Sequence, residues 1–155
     1  MNWRISNPDF ERAVRESFAR QAAMATLGVE IVSVEAGAVR LALAASPGLT
    51  QQNGYVHAGV LAACADSACG YAAYTLAPAG SDVLAVEFKI SLLRPARAPR
   101  FEARARVLRP GRTLTYCECG IFGLEESGET LVATMLSTIV TRAAGGDDRS
   151  SSPTR

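Results

Sequence analysis

Residues 59–76 read GVLAACADSACGYAAYTL, and this stretch decides the fold. As a helix it is roughly 27 Å long, at about 1.5 Å per residue. Small apolar side chains occupy every face of that helix, which is typical of a helix enclosed by protein rather than one lying on a surface. Asp66 is its one charged residue, and no Lys or Arg lies in the stretch to pair with it. The sequence therefore predicts a central buried helix that carries an unpaired acid.

An unpaired acid in such a helix is costly, because burial without a partner disfavours the ionised form of the carboxyl. An acid kept there despite the cost is a candidate for chemistry. The alternative is that Asp66 meets a backbone or tyrosine hydroxyl donor and has no chemical role. Both interpretations stay open on the residues of the helix alone.

The segments around this helix are mostly β-favouring. Residues 29–36 and 38–44 flank Gly37 and predict a hairpin, and residues 45–56 predict a loop. After the helix, turn residues separate four further runs and predict an antiparallel meander of strands over 83–93, 100–108, 113–122 and 130–141. With one helix packed on one antiparallel sheet, the fold class is α+β.

The two ends of the chain differ in pattern. Apolar residues at helical spacing from Phe10 to Ala25 predict an amphipathic helix over about 8–25. From Ala143 onward the chain is polar and rich in Gly, Ser and Asp, so residues 143–155 are predicted to be a disordered tail. The 155 residues are 48% hydrophobic, which suits a single domain over 1–142.

Charge and composition exclude several function classes. The formal net charge is +1, so no strong field favours nucleic acid or a membrane surface as a partner. The first residues lack the pattern of a signal peptide, and no apolar run is long enough to span a membrane, which predicts a soluble cytoplasmic protein. The four cysteines are then expected to be reduced and buried, and with a single histidine no metal site is predicted.

The segment QQNGYVHAGV at 51–60, followed by Asp66, resembles the hotdog-fold acyl-CoA thioesterases, particularly the phenylacetate-degradation (PaaI-like) group. In that group a loop with Asn or Gln leads into a His-Gly-Gly helix start and an acid follows, and here Gln51, His57-Ala58-Gly59 and Asp66 match. The resemblance implies a sheet wrapped around a central helix, assembly as a homodimer or a dimer-of-dimers tetramer, and hydrolysis of acyl-coenzyme A thioesters. Coenzyme A is then part of the substrate, and no separate cofactor is expected.

Two positions depart from the pattern of that group. Ala58 replaces the first glycine, but the residue contributes a backbone N–H, which alanine retains. Ala85 stands where some relatives have a serine that assists the attacking water. The resemblance therefore leaves Asp66 with less side-chain help in this chain.

Thioester hydrolysis needs an oxyanion donor and a carboxylate at the same carbonyl. The Ala58 N–H lies at a helix start, where it has no intrahelical acceptor and the macrodipole is positive. Asp66 is about 12 Å further along the helix axis, too far for one thioester to meet both groups. We therefore predict a dimer in which Ala58 of one chain lies beside Asp66 of the other. Gln51 is the candidate for orienting the attacking water or the carboxylate, and Asp66 acts as nucleophile or general base.

The phosphates of coenzyme A require local positive charge. Arg109 and Arg112 in a predicted hairpin turn are the first candidates, with Lys89, Arg94 and Arg97 as second choices. Solvated surface residues are the alternative interpretation for each of them.

His57 is a further catalytic candidate, although a histidine just before a helix is expected to bond to backbone and shape the loop. Tyr55, Tyr71, Tyr74 and Phe88 are expected to line an acyl pocket or to fill the core. Two other functions stay open: a hotdog hydratase or dehydratase that uses His57, and a non-catalytic acyl-CoA binding domain.

Overall fold

One antiparallel sheet and one long helix make up most of the protein. The computed structural model describes residues 3–143. Its helices are α1 (Phe10–Phe18), α2 (Ala22–Leu27) and α3 (Ala58–Tyr74), with a short 3-10 turn at Pro47–Leu49. Its strands are β1 (Val29–Glu35), β2 (Ala38–Ala44), β3 (Ser81–Leu92), β4 (Arg100–Arg109), β5 (Leu114–Glu125) and β6 (Gly128–Ala143). The strands lie in the order β1-β2-β4-β5-β6-β3, and α3 packs across them, which confirms the predicted α+β hotdog architecture.

The small side chains of α3 allow the sheet to curve closely around the helix. Ala65, Ala68, Cys69 and Ala72 are fully buried against it. Larger side chains at these positions would force the strands outward, since protein interiors are close-packed. The small apolar side chains that predicted an enclosed helix are therefore the side chains that this close packing requires.

Alternation along the strands separates an inner face, toward α3, from an outer face. On β4, Ala103, Ala105 and Val107 are buried whereas Arg106 is exposed, so one face of this strand meets solvent. All four cysteines are buried and free, as predicted. Burial raises the pKa of the Cys64 thiol to about 12, so this cysteine is an uncharged core residue at neutral pH.

The single N-terminal helix predicted over about 8–25 is wrong, because the chain forms two helices separated by Ala19–Gln21. Gln21 has a non-helical backbone (φ −83°, ψ 87°). Its side-chain Oε1 accepts a hydrogen bond from the Ser67 hydroxyl of α3 at 3.2 Å. This contact with α3 lies at the break between the two helices. Helix propensity is weak, and tertiary contacts of this kind can override it.

The predicted four-strand meander is also wrong in one respect. Strands β4, β5 and β6 follow one another in the sheet, but β3 lies beside β6 at the edge. Residues 93–99 carry the chain across instead of turning back, with Ala96 and Ala98 buried. Their backbone is tied to the loop before α3, where the Val56 N–H donates to the Ala96 carbonyl at 3.0 Å. A segment bonded in this way cannot form a tight turn between neighbouring strands.

The predicted disordered tail, apart from Ala143 at the end of β6, lies outside the described residues. Within residues 3–143, no helix has both the length and the apolar character needed to cross a membrane.

Candidate active site

Asp66 lies near the middle of α3 and has no charged partner within the described part of the chain, as its sequence context predicted. Its side chain is half-buried, and its Oδ1 is sealed from solvent without a hydrogen-bond partner among residues 3–143. Burial raises the pKa of this carboxyl above its ordinary value. A buried polar atom left unsatisfied costs free energy, which makes the Asp66 carboxyl a candidate for chemistry.

Asp66 opens onto a cavity of about 360 Å³ between α3, the α1–α2 junction and strand β3. The wall includes Ser67, Tyr71 and Tyr74 from α3, and Ala85 from β3. Tyr71 is buried in the core and also lines this cavity, so its roles as a core residue and as a cavity residue are compatible. The volume lies toward the small end of ligand pockets, which run from about 300 to 1,000 Å³. Ala85, which the resemblance to the hotdog-fold thioesterases placed at the site, therefore shares a cavity with Asp66.

The raised pKa of Asp66 predicts a pH-dependent cost to stability that Asp66→Asn removes. In the folded state the carboxyl binds its proton more tightly than in the unfolded chain, so the free energy of unfolding falls as pH rises from the unfolded to the folded pKa. Above that window the variant is expected to exceed the wild type by a constant amount. Urea unfolding of both proteins from about pH 4 to about pH 8 measures this. A wild type that gains stability over the variant as pH rises would contradict it.

The start of α3 presents one backbone donor without an acceptor. His57 is the N-cap residue, and its Nδ1 accepts from the Gly59 N–H at 2.9 Å. The Gly59 donor is therefore occupied. The Ala58 N–H has no acceptor within the described part of the chain, as expected for the first residue of a helix. The backbone arrangement therefore favours Ala58 over Gly59 as an anion donor.

Gln51, His57 and Ala58 line a second cavity with Tyr55 and Leu92, and Asp66 is not in its wall. The Gln51 Oε1 accepts from the Asn53 N–H, so the amide NH2 is the end of Gln51 free to meet a ligand. The two halves of the predicted chemistry thus lie in separate cavities of one chain. This separation agrees with the spacing of about 12 Å expected from eight helical residues.

The candidate phosphate-binding cations lie in different places. Arg94 lines the cavity of Gln51 and Ala58, and its Nη1 donates to the Leu131 carbonyl at 2.7 Å. Arg112 lies at the opposite end of α3, in a cavity shared with Arg4 and Leu76. Arg109 is exposed at the end of β4 and Lys89 is exposed on β3. Arg97 stacks on the ring of Tyr55, 4.7 Å from its centroid. Of these, Arg94 is the cation that shares a cavity with the predicted oxyanion donor.

The N-terminal helices contribute residues that were not predicted to be near Asp66. Ser17, Arg20 and Gln21 lie in the wall of its cavity. One signal in the sequence pointed to them: Gln21 is polar and lies three residues after Phe18, on the face that the helical pattern otherwise keeps apolar.

The comparisons with known proteins define the class of this protein. A model of the Thioesterase superfamily matches residues 53–129. A thioesterase family protein from Silicibacter pomeroyi is 43% identical, with a TM-score of 0.85, and the match covers 87% of this chain and 99% of that one. The chain therefore belongs to the thioesterase superfamily.

Two further structures relate the chain to phenylacetate-degradation proteins. A putative thioesterase, phenylacetic acid degradation-related protein from Ralstonia eutropha, is 28% identical over 84% of this chain and 98% of that one, with a TM-score of 0.73. The PaaI protein of Escherichia coli is similar in fold, with a TM-score of 0.78 and 22% identity over 92% of this chain and 98% of that one. No curated protein matches the chain.

Proposed function

We propose that this protein hydrolyses acyl-coenzyme A thioesters to a free acid and coenzyme A. The observation that carries the proposal is Asp66, an acid with a sealed, unpartnered Oδ1 beside a cavity in a member of the thioesterase superfamily. The reaction adds water across the C–S bond: the carbonyl carbon gains hydroxyl, and the sulfur leaves and takes up a proton. Asp66 attacks the carbonyl carbon or activates the water, and a raised pKa keeps it basic enough to do so.

The proposed site is shared between two chains. The Ala58 N–H and Asp66 lie in different cavities of one chain, whereas both must be about 3 Å from the reacting carbonyl. Two α3 helices running antiparallel across a twofold axis bring Ala58 of one chain beside Asp66 of the other. In this arrangement Gln51 orients the water or the carboxylate of the partner chain, and Arg94 is the first candidate for the coenzyme A phosphates.

Strand β3 supports the dimer. It lies at the edge of the sheet and pairs on one side with β6, and its other side has no strand partner among residues 3–143. Apolar side chains along it are unusually exposed, with Leu84 at 51%, Val86 at 59% and Phe88 at 48%. A long apolar edge strand invites pairing with another chain. A second copy of β3 is the partner that we propose, because a twofold axis there also brings the two α3 helices together.

Replacing Val86 and Phe88 together by lysine is expected to give a monomer with little thioesterase activity. Two charges on each edge repel those of the other copy, and each composite site then loses its second half. Sedimentation measures the mass and thiol release measures the activity. Leu136→Lys is the matched control, since Leu136 is equally exposed (55%) but lies on the outer face of the sheet. A monomer that retains full activity would show that one chain holds a complete site.

Thiol release from purified protein tests the proposed function. The panel is acetyl- to palmitoyl-CoA together with arylacetyl-CoA, and we expect turnover of at least one of them well above the buffer rate. Binding of an acyl-CoA without any thiol release would instead favour the non-catalytic binding domain. Hydration of an enoyl-CoA without thiol release would favour the hydratase hypothesis.

A further inference from the structure

The cavity beside Asp66 has a polar wall at the end formed by the α1–α2 junction. Ser17, Arg20 and Gln21 supply this wall, and they lie outside residues 53–129, which the superfamily model matches. Arg20 is the cation among them.

Unlike the arginines of α1, Arg20 has no carboxylate partner among residues 3–143. The acids of α1 pair with other arginines, because Glu11 bonds to Arg15 at 2.9 Å and Glu16 bonds to Arg12 at 3.4 Å. The guanidinium of Arg20 donates to the Glu16 carbonyl oxygen at 3.0 Å, which uses one of its five donors. Within residues 3–143 its other donors have no hydrogen-bond acceptor, so they can bind a ligand.

The two serine hydroxyls of the wall are already engaged. The Ser17 hydroxyl bonds to the Tyr71 hydroxyl at 3.3 Å, and the Ser67 hydroxyl bonds to Gln21. Asp82 contributes a carboxylate at the rim, but it lies opposite Arg142 in the register of β3 and β6. Arg20 is an exposed residue of the cavity wall, and it adds a positive charge to a cavity that Asp66 also lines.

We infer that the acyl group held by this cavity ends in a carboxylate, which Arg20 binds while the thioester lies at Asp66. This inference rests on the proposed function and names the substrate class: ω-carboxyacyl thioesters, the monothioesters of dicarboxylic acids. The planar guanidinium donates two parallel hydrogen bonds to a carboxylate, a match that an alkyl or unsubstituted aryl end lacks.

Paired substrates of equal length test the inference. We expect the wild type to hydrolyse glutaryl- and adipyl-CoA with a kcat/KM about 10- to 100-fold above pentanoyl- and hexanoyl-CoA, the range of a charged hydrogen bond. Arg20→Gln is expected to remove this preference, mainly through KM, because it removes a binding interaction that the ground state and the transition state share. Hydrolysis of the alkanoyl thioesters is expected to change by less than about threefold. Arg20→Lys retains the charge and is expected to retain part of the preference. Arg12→Gln, in the preceding helix α1 and outside the cavity, is the matched control.

The outcomes separate this inference from the proposed function. Hydrolysis of alkanoyl or arylacetyl thioesters at rates equal to or above the ω-carboxyacyl rates, unchanged by Arg20→Gln, overturns the inference and leaves the thioesterase intact. Thiol release from none of the thioesters overturns both. Equal loss of every substrate in Arg20→Gln, with a lower melting temperature, would assign Arg20 a structural role and also overturn the inference.

Discussion

Asp66→Asn and Asp66→Ala are expected to lower kcat for thioester hydrolysis at least about a hundredfold, the scale for loss of a catalytic base. Asparagine retains the size of the side chain but neither attacks a carbonyl nor accepts a proton from water. Since the Asp66 Oδ1 has no hydrogen-bond partner among residues 3–143, replacement by asparagine breaks no hydrogen bond of that oxygen within the described chain. The loss is therefore expected in kcat with the melting temperature maintained or raised.

Asp82→Asn is the matched control for the Asp66 variants. Asp82 is a carboxylate at the rim of the same cavity, but it is exposed on β3. The control is expected to retain activity within about threefold, because an exposed charge beside the cavity interacts with the reacting group only through screening solvent. If Asp66→Asn is as active as Asp82→Asn, Asp66 is a structural acid and the proposed mechanism is wrong.

Ala58→Pro is expected to reduce kcat about 10²- to 10³-fold, the effect of removing one oxyanion donor. Proline removes the N–H, and position 58 tolerates it, because the first residue of a helix has no intrahelical acceptor and favours proline. The preceding His57 already has the extended backbone that a residue before proline prefers, with φ −63° and ψ 138°. The substitution therefore removes a donor with little expected change in fold.

The matched control for this variant is Ala58→Gly, which keeps the N–H and is expected to retain most of the activity. Circular dichroism and melting temperature check that the proline variant is folded. A folded Ala58→Pro with wild-type kcat would show that the oxyanion is bound elsewhere, and the arrangement at the start of α3 would then have no catalytic role.

Features that depend on local sequence were predicted well. The enclosed helix could be predicted because its small apolar residues and isolated Asp66 lie in one continuous stretch. The strands could be predicted because alternation and turn residues act over a few positions. The order of the strands could not, because the position of β3 depends on how residues 93–99 pack against the loop before α3.

Sequence reasoning predicted Asp66 as the central acid of the candidate site but did not predict the residues around it. The helix break at Ala19–Gln21, which brings Arg20 to the cavity, accompanies a bond between Gln21 and Ser67, two residues far apart in the chain. Helical spacing continues through the break, so the local pattern favoured one long helix. By contrast, the separation of Ala58 and Asp66 follows from helix geometry alone and was predicted.

Complementation between two inactive variants tests the shared site most directly. Asp66→Ala and Ala58→Pro are co-expressed at equal levels, and the mixture is assayed for thiol release. If each site combines Asp66 of one chain with Ala58 of the other, a mixed dimer has one intact site of two. Random assembly then restores about a quarter of the wild-type rate. If both groups of a site came from the same chain, no intact site could form and the mixture would stay at the rate of the separate variants, which would contradict the composite site.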